Sequence, residues 1–476
     1  MMQDDEITGL SATALSAAIH DGRASCAEVM TAYLARIDRL NPAINAIVSL
    51  RPRDELLAEA TERDAELGSG KSRGWMHGMP IAIKDLCEVK GIRCTYGSPI
   101  FADFVPEKDE VMVERIRAAG AIIIGKTNTP EQGLGSQSYN PVHGITRNPY
   151  DLTKTVGGSS GGAAAALSAH LLPVADGGDM MGSLRNPAAF NNVVGFRPSF
   201  GRVPSSLKLE NFMGQLSVLG PMGRTVRDVA ALLSTQAGYD PRDPLSLPTE
   251  DLTPQDGRDF SGARVAWLGD LGGYLPFEPG VLELCRATLP VFERIGCTVD
   301  EFVPDFDMDD LWRSWTTLRS WLTASGMRDN YDDPEKRAKM KPEIIWEIER
   351  GLDMTAREVH FASKRRSAWY QYLLTVFDRY DYLILPSAQV FPFNAEIHWP
   401  KEIGGRTMDT YHRWMEVVVP ASMAGLPVAA MPAGFGANGL PAGIQIIGRP
   451  RADKAVLEIA LAYEAATDWL GRRPKL

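Results

Sequence analysis

Two serines in this chain are set among glycines: Ser159 in Val156-Gly157-Gly158-Ser159-Ser160-Gly161-Gly162, and Ser183 in Asp176-Gly177-Gly178-Asp179-Met180-Met181-Gly182-Ser183-Leu184-Arg185. Glycine lets the backbone enter conformations closed to other residues and lets a second group come close, so a hydroxyl embedded in glycines is presented for contact. Gly/Ser stretches also serve as flexible linkers. The apolar Ala163 to Ala175 segment between the two motifs reads as helix plus strand and argues against a pair of linkers.

A serine is a weak nucleophile until a base takes its proton. The seven histidines (His20, His77, His143, His170, His360, His398, His412) are scattered, mostly in helical or polar contexts that suit solvated or capping roles. Lysine is the other choice, because a desolvated amine gives up its proton far more readily than one in water. Lys84 ends the apolar run Met79-Pro80-Ile81-Ala82-Ile83, the pattern of a buried strand that delivers an amine to a cleft. An ion pair with Asp85 or a neighbour is the plainer use of it.

Three short motifs compete for these residues. Gly157-Gly158-Ser159-Ser160-Gly161 satisfies the G-x-S-x-G nucleophile elbow, which would make Ser159 the nucleophile of an α/β-hydrolase, but Asp151 to Thr155 is a poor buried strand to precede it. Ser205-Ser206-Leu207-Lys208 satisfies S-x-x-K without the Ser-Asp-Asn and Lys-Thr-Gly that should accompany it. The glycine loop lacks the Gly-Lys-Ser/Thr ending of a phosphate-binding loop.

The elements that must position these groups alternate. Helical spacing runs from Ser11 to Leu40, divided at Gly22, with Ser25 and Glu28 as a capping box. A charged helix is expected over Glu55 to Leu67, a strand at Met79 to Asp85, a helix at Glu110 to Ala119 and a strand at Ala121 to Gly125. Strand, helix, strand order builds a sheet covered by helices, an α/β fold. Gly195 to Pro204 reads as a connection, Thr225 to Gln236 as a helix, Gly262 to Leu268 as a strand, Pro279 to Ile295 as one helix and Cys297 to Phe302 as a strand. Asp305 to Phe377 is charged and helical and holds Trp312, Trp315, Trp321, Trp346 and Trp369, which form a small core of their own or wall a cleft. Strands return at Tyr382 to Leu385, Val428 to Met431 and Ile444 to Ile447, and Lys454 to Ala466 closes the chain as an amphipathic helix.

Length alone, at 476 residues, suggests two to three domains. A net charge of −10 disfavours nucleic acid or an anionic membrane as partner. The five cysteines lack a CxxC pair, which points to reduced thiols and no structural zinc. The first residues lack the basic start and apolar core of a signal peptide, no run reaches the length of a membrane span, and a cytoplasmic protein is expected.

Taken together, Pro80-Ile81-Ala82-Ile83-Lys84-Asp85, Gly125-Lys126-Thr127-Asn128-Thr129-Pro130-Glu131, Thr146-Arg147-Asn148-Pro149, Gly157 to Gly162, Asp179 to Arg185, and Gly425-Leu426-Pro427 with Gly439-Leu440-Pro441 resemble the amidase signature family. The likeness spans nearly the whole chain and is least clear over Asp305 to Phe377. It implies one domain, 1–476, around a central mixed β-sheet covered by helices, with a helical arm at about 1–70 and a Trp-rich insertion at about 305–377. It also implies a triad of Ser183 as nucleophile, Ser159 as bridging serine in a cis peptide and Lys84 as base. Backbone N–H groups of Met180, Met181, Gly182 and Ser183 would form the oxyanion hole, Gly133 and Gly135 would border the acyl pocket, and Asp179 and Arg185 would brace the turn. Where relatives commonly read Thr-Gly-Gly-Ser this chain reads Met180-Met181-Gly182-Ser183. A backbone donor survives a side-chain change, but two long apolar side chains reshape the pocket.

The function implied is cofactor-free, metal-free hydrolysis of C–N bonds in small amides, with esters and carbamates open to the same acyl-enzyme chemistry, by a monomer or homodimer. The family's other implication is the glutaminase (A-type) subunit of a tRNA-dependent amidotransferase, against which the acidic balance argues. The Trp-rich region and Met180 with Met181 predict an apolar pocket that favours aryl or hydrophobic amides over glutamine.

Overall fold

The computed structural model describes residues 2–206 and 210–476, so Leu207 and Lys208 of the S-x-x-K match lie outside the described residues. Two sheets carry the chemistry-bearing segments. The smaller comprises β1 (Ile47–Val48), β2 (Pro80–Lys84) and β3 (Ile122–Thr127), in the order β1-β3-β2 with β2 parallel to β3. The larger takes β4 (Val174–Asp179), β5 (Val194–Arg197), β6 (Val218–Gly223), β7 (Arg264–Trp267), β8 (Thr298–Glu301), β9 (Tyr382–Pro386), β10 (Val428–Phe435) and β11 (Pro441–Gly448) in the order β8-β7-β9-β11-β10-β5-β6-β4. Strand β7 runs parallel to β8 and β9 while the other pairings are antiparallel, so the fold is α/β around a mixed eight-stranded sheet.

Local chemistry accounts for many of the boundaries. The Cys26–Ile44 helix starts at the Ser25/Glu28 capping box, and Thr225 and Thr355 cap the Val226–Gln236 and Ala356–Phe377 helices through their side-chain oxygens. The single helix expected over Pro279 to Ile295 is two, Val281–Arg286 and Leu289–Arg294. Pro290 is responsible: it has no N–H to donate and its ring crowds the carbonyl four residues back, so it is accommodated only in the first turn of a new helix. The connection expected from Gly195 belongs in part to β5, and β6 has no counterpart among the expected strands. Its Gly220 and Pro221 weaken the local strand signal, but β4 and β5 pair with it from either side and fix it.

The Trp-rich segment folds as four helices, Met308–Asp332, Pro334–Arg337, Pro342–Leu352 and Ala356–Phe377. It does not keep its tryptophans in a core of its own. Trp312, Trp315 and Trp369 are buried with Val417, Val418, Val428 and Ile447 in a cluster shared with the large sheet, and the Trp369 Nε1 donates to the Pro420 carbonyl at 2.8 Å. Trp346 stays partly exposed. The helices are thus anchored by aromatic burial while the inner face of Met308–Asp332 is left to wall a cavity. No helix among the described residues is long and apolar enough to cross a membrane.

Candidate active site

Strands β2 and β4, from different sheets, bring Lys84 and the turn that carries Ser183 to one cavity. Each is an edge strand, and the two edges face each other. Lys84 is the last residue of β2 and is buried; its Nζ donates to Ser159 Oγ and Ser160 Oγ, both at 2.8 Å, with the Gly178 carbonyl at 3.5 Å. Ser159 follows a cis Gly158–Ser159 peptide. Burial lowers the Lys84 amine to about 7, against the opposing pull of Asp176 and Asp179. The amine is therefore available in its neutral form near neutral pH and can accept a proton.

Ser183 stands in the turn between β4 and the Arg185–Asn191 helix. The Ser160 N–H donates to the Ser183 carbonyl at 3.2 Å, so the two glycine-rich segments touch through main chain. The Ser183 hydroxyl makes no hydrogen bond to a described residue; like Ser159 it opens on a cavity of about 570 Å³. The structure thus brings Lys84 and Ser159 into direct contact and sets Ser183 on the same cavity wall.

Asp179 holds this turn. Its carboxylate accepts from the N–H of Gly182 (2.8 Å) and of Leu184 (3.2 Å), from Arg185 Nε and Nη2 (both 2.9 Å) and from Arg197 Nη1 (3.0 Å). Burial would raise this carboxyl, but Arg185 and Arg197 more than offset it and keep it ionised far below the usual carboxylate range. Arg185 also donates to the Val418 carbonyl at 2.9 Å, tying the turn to the 413–418 segment. Gly182 has φ +81°, and a Cβ there would lie 2.8 Å from Val418 Cγ2, so the position needs glycine twice over. Its N–H is already engaged by Asp179. The N–H groups of Met181 and Ser183, which flank it, make no hydrogen bond to a described residue.

Gly133 and Gly135 line the same cavity, the position of a Cβ on Gly133 lying 3.8 Å from Ser159 Oγ. A Cβ at Gly133 would meet Leu86 Cδ1 at 2.7 Å, so glycine here sets how close the 131–135 loop comes to the β2 end. The nucleophile-elbow context is not found. The strand before Ser159, Asp151–Thr155, is only partly buried and pairs with Arg147–Asn148 and, through a Lys154–Asn394 bridge, with the 393–395 segment, outside both main sheets.

Several lining residues have no place in the sequence reading. Tyr96, Phe101 and Phe104 form an aromatic cluster at the mouth, with ring centroids 5.2 to 6.3 Å apart. Across from them the Met308–Asp332 helix contributes Arg319, Leu322, Thr323 and Met327. Arg319 is anchored on Glu347 Oε1 (2.9 Å) and the Tyr411 hydroxyl (2.7 Å) and reaches Met180 Sδ at 3.2 Å. Glu88 accepts from the Tyr96 hydroxyl at 2.6 Å. Arg319 is thus already paired with a carboxylate and Glu88 accepts from a phenol, while Met180, Met181, Leu86, Leu134 and Met415 make much of the remainder apolar. Of these, only Met180 and Met181 carry a sequence signal, through their place beside Ser183.

Comparison with known proteins gives a consistent set of relatives. The Amidase family model matches residues 28–457. An acylamidase of Rhodococcus erythropolis is 34% identical over 99% of this chain and 98% of its own. The A-type component of the glutamyl-tRNA(Gln) amidotransferase of Thermosynechococcus vestitus is 33% identical over 95% of this chain and 97% of its own. Among solved structures, a bacterial aryl acylamidase of the amidase signature family superposes with a TM-score of 0.91 at 28% identity, covering 97% of this chain and 96% of that one. A 6-aminohexanoate cyclic dimer hydrolase complexed with substrate gives 0.88 at 26% identity, covering 98% and 99%.

Proposed function

Because the chain belongs to the amidase signature family and is an amidohydrolase of that kind, we propose that it cleaves the C–N bond of aryl or otherwise hydrophobic amides through an acyl-enzyme on Ser183. The observation that carries this reading is the 2.8 Å contact between Lys84 Nζ and Ser159 Oγ at the wall of the cavity onto which Ser183 also opens. Neutral Lys84 takes the proton of Ser159 as Ser159 takes that of Ser183, and Ser183 Oγ attacks the amide carbonyl. The carbonyl oxygen becomes an oxyanion, for which the N–H groups of Met181 and Ser183 are the available donors, with Met180 beside them and Gly182 supplying the turn. The relay then runs backwards: protonated Lys84 returns a proton through Ser159 to the departing nitrogen, the amine leaves, and water repeats the sequence on the ester. Esters and carbamates fit the same path. The same reading takes 1–476 as one domain, with the 305–377 helices as an insertion that supplies one wall of the site.

The similarity to the A-type components of amidotransferases favours a second reading, a glutaminase that supplies ammonia to a partner. Glutamine is a zwitterion and calls for a free carboxylate and a free cation beyond the scissile amide. The outer wall here offers Glu88 and Arg319 already engaged by Tyr96 and Glu347, among aromatic and thioether groups, which supports the hydrophobic reading. The test is kcat/KM for anilides, aliphatic amides, aryl carbamates and glutamine side by side. Anilides should lead; glutamine in first place overturns the substrate assignment and leaves the second reading.

A further inference from the structure

The two sheets that meet at the site share no strand pairing. Strand β2 is hydrogen-bonded to β3 on one side, β4 to β6, and the facing edges are bridged by side chains. At that seam the buried N–H of Lys84 donates to Asp176 Oδ1 at 2.9 Å. Asp176 is fully buried, sits three residues before Asp179 on the strand that leads to Ser183, and lines the same cavity as Lys84. Its second oxygen, Oδ2, is buried and has no hydrogen-bond partner among the described residues.

An acceptor for one N–H requires no charge; an amide or hydroxyl would serve. A buried carboxylate with an oxygen left unpaired is costly to keep, so its charge calls for a use. We propose that Asp176 is a positioning residue for the base: it fixes the end of β2 across the seam through the Lys84 N–H, and its negative charge keeps the Lys84 amine basic enough to take a proton from Ser159. This rests on the reading of Lys84 as the base.

The surroundings agree with that role. The titratable groups facing Asp176 are Lys84, the Cys87 thiol just beyond β2, and Lys126 on β3. Burial pushes the Asp176 carboxyl up to about 6, against the Lys84 N–H and the two lysines, so it carries its charge at the neutral pH where Lys84 titrates and loses it lower on the acid limb. On its own strand Asp179 adds a lesser pull on Lys84 while ion-paired with Arg185 and Arg197, and neither β6 nor the Gly161–Ser168 helix carries a titratable side chain. Burial alone would drive the Lys84 amine down, and Asp176 is the foremost charge opposing it. A lysine pushed down too far is neutral but too weak a base to draw a proton from serine.

The test is the pH profile of kcat/KM for an anilide in Asp176→Asn, which keeps the shape and an acceptor and removes the charge. The acid limb should move to lower pH by about one unit, because a cation that loses a nearby anion releases its proton more easily. Asp176→Ser, smaller and uncharged, is the second variant and should shift the limb the same way. An unmoved limb in either folded variant overturns the proposal, and so does loss of the folded state in both, which would make Asp176 a structural seam only. Lys84→Ala separates this from failure of the underlying reading: if the wild-type limb survives without Lys84, the base assignment falls whatever Asp176 does.

Discussion

The protonation state of Lys84 decides how much enzyme is competent, and its environment makes the dependence measurable. An ordinary lysine titrates near 10.5, whereas burial brings Lys84 to about 7. At pH 7 roughly one molecule in three thousand would hold a neutral amine in the first case and about half in the second. The sign follows: the neutral amine is the base, so kcat/KM rises with pH through about 7 and levels off above it. Below the midpoint it should fall about tenfold per pH unit, since one proton is involved. The assay is initial-rate hydrolysis of a chromogenic anilide from about pH 5 to about pH 9 at constant ionic strength. Lys84→Ala removes the base and should cost about 100- to 10,000-fold at the plateau, with the limb flattened. Lys84→Arg, which stays charged throughout, should do no better. A flat wild-type profile, or a limb that first appears near pH 10, would refute the argument that burial tunes this amine.

Two further substitutions probe the turn that carries Ser183. Gly182→Ala forces a side chain into φ +81° and against Val418 at 2.8 Å; the Ser183 N–H beside it should shift, and kcat should fall about 100- to 1000-fold with KM little changed, a loss that steady-state kinetics would detect. Asp179→Asn leaves Arg185 and Arg197 buried without a counter-charge and should lower stability by about 3 to 5 kcal/mol in urea unfolding; a loss below about 1 kcal/mol would contradict the role given to that carboxylate.

The parts of the site legible in the sequence are those that glycine or an apolar run betrays. Lys84 stands at the end of an uninterrupted hydrophobic strand, and Ser159 and Ser183 stand among glycines that their turns require. The approach of β2 to β4 is not legible, because it joins edges of two different sheets through side chains and leaves no periodicity in either strand. Asp176 escapes notice for that reason, although a carboxylate inside the otherwise apolar and glycine run Val174 to Gly178 is its signal. Ser160 is in view as part of the glycine motif, but that it shares the Lys84 amine with Ser159 is a matter of geometry. Strand β6 carries Gly220 and Pro221, so local propensity speaks against a strand that tertiary pairing imposes. The tryptophans of the 305–377 region announce a hydrophobic cluster, but not that the large sheet shares it, nor that Arg319 on the same helix faces the cavity.

The assignment of Ser183 as nucleophile and Ser159 as relay is tested most directly by covalent labelling with an activated phosphonate, followed by peptide mapping in a mass spectrometer. An adduct is expected on Ser183 in the wild type, none in Ser183→Ala, and slow labelling of Ser183 in Ser159→Ala, where the attacking hydroxyl and the amide donors remain but the proton path is cut. An adduct on Ser159 that persists in Ser183→Ala would contradict the assignment.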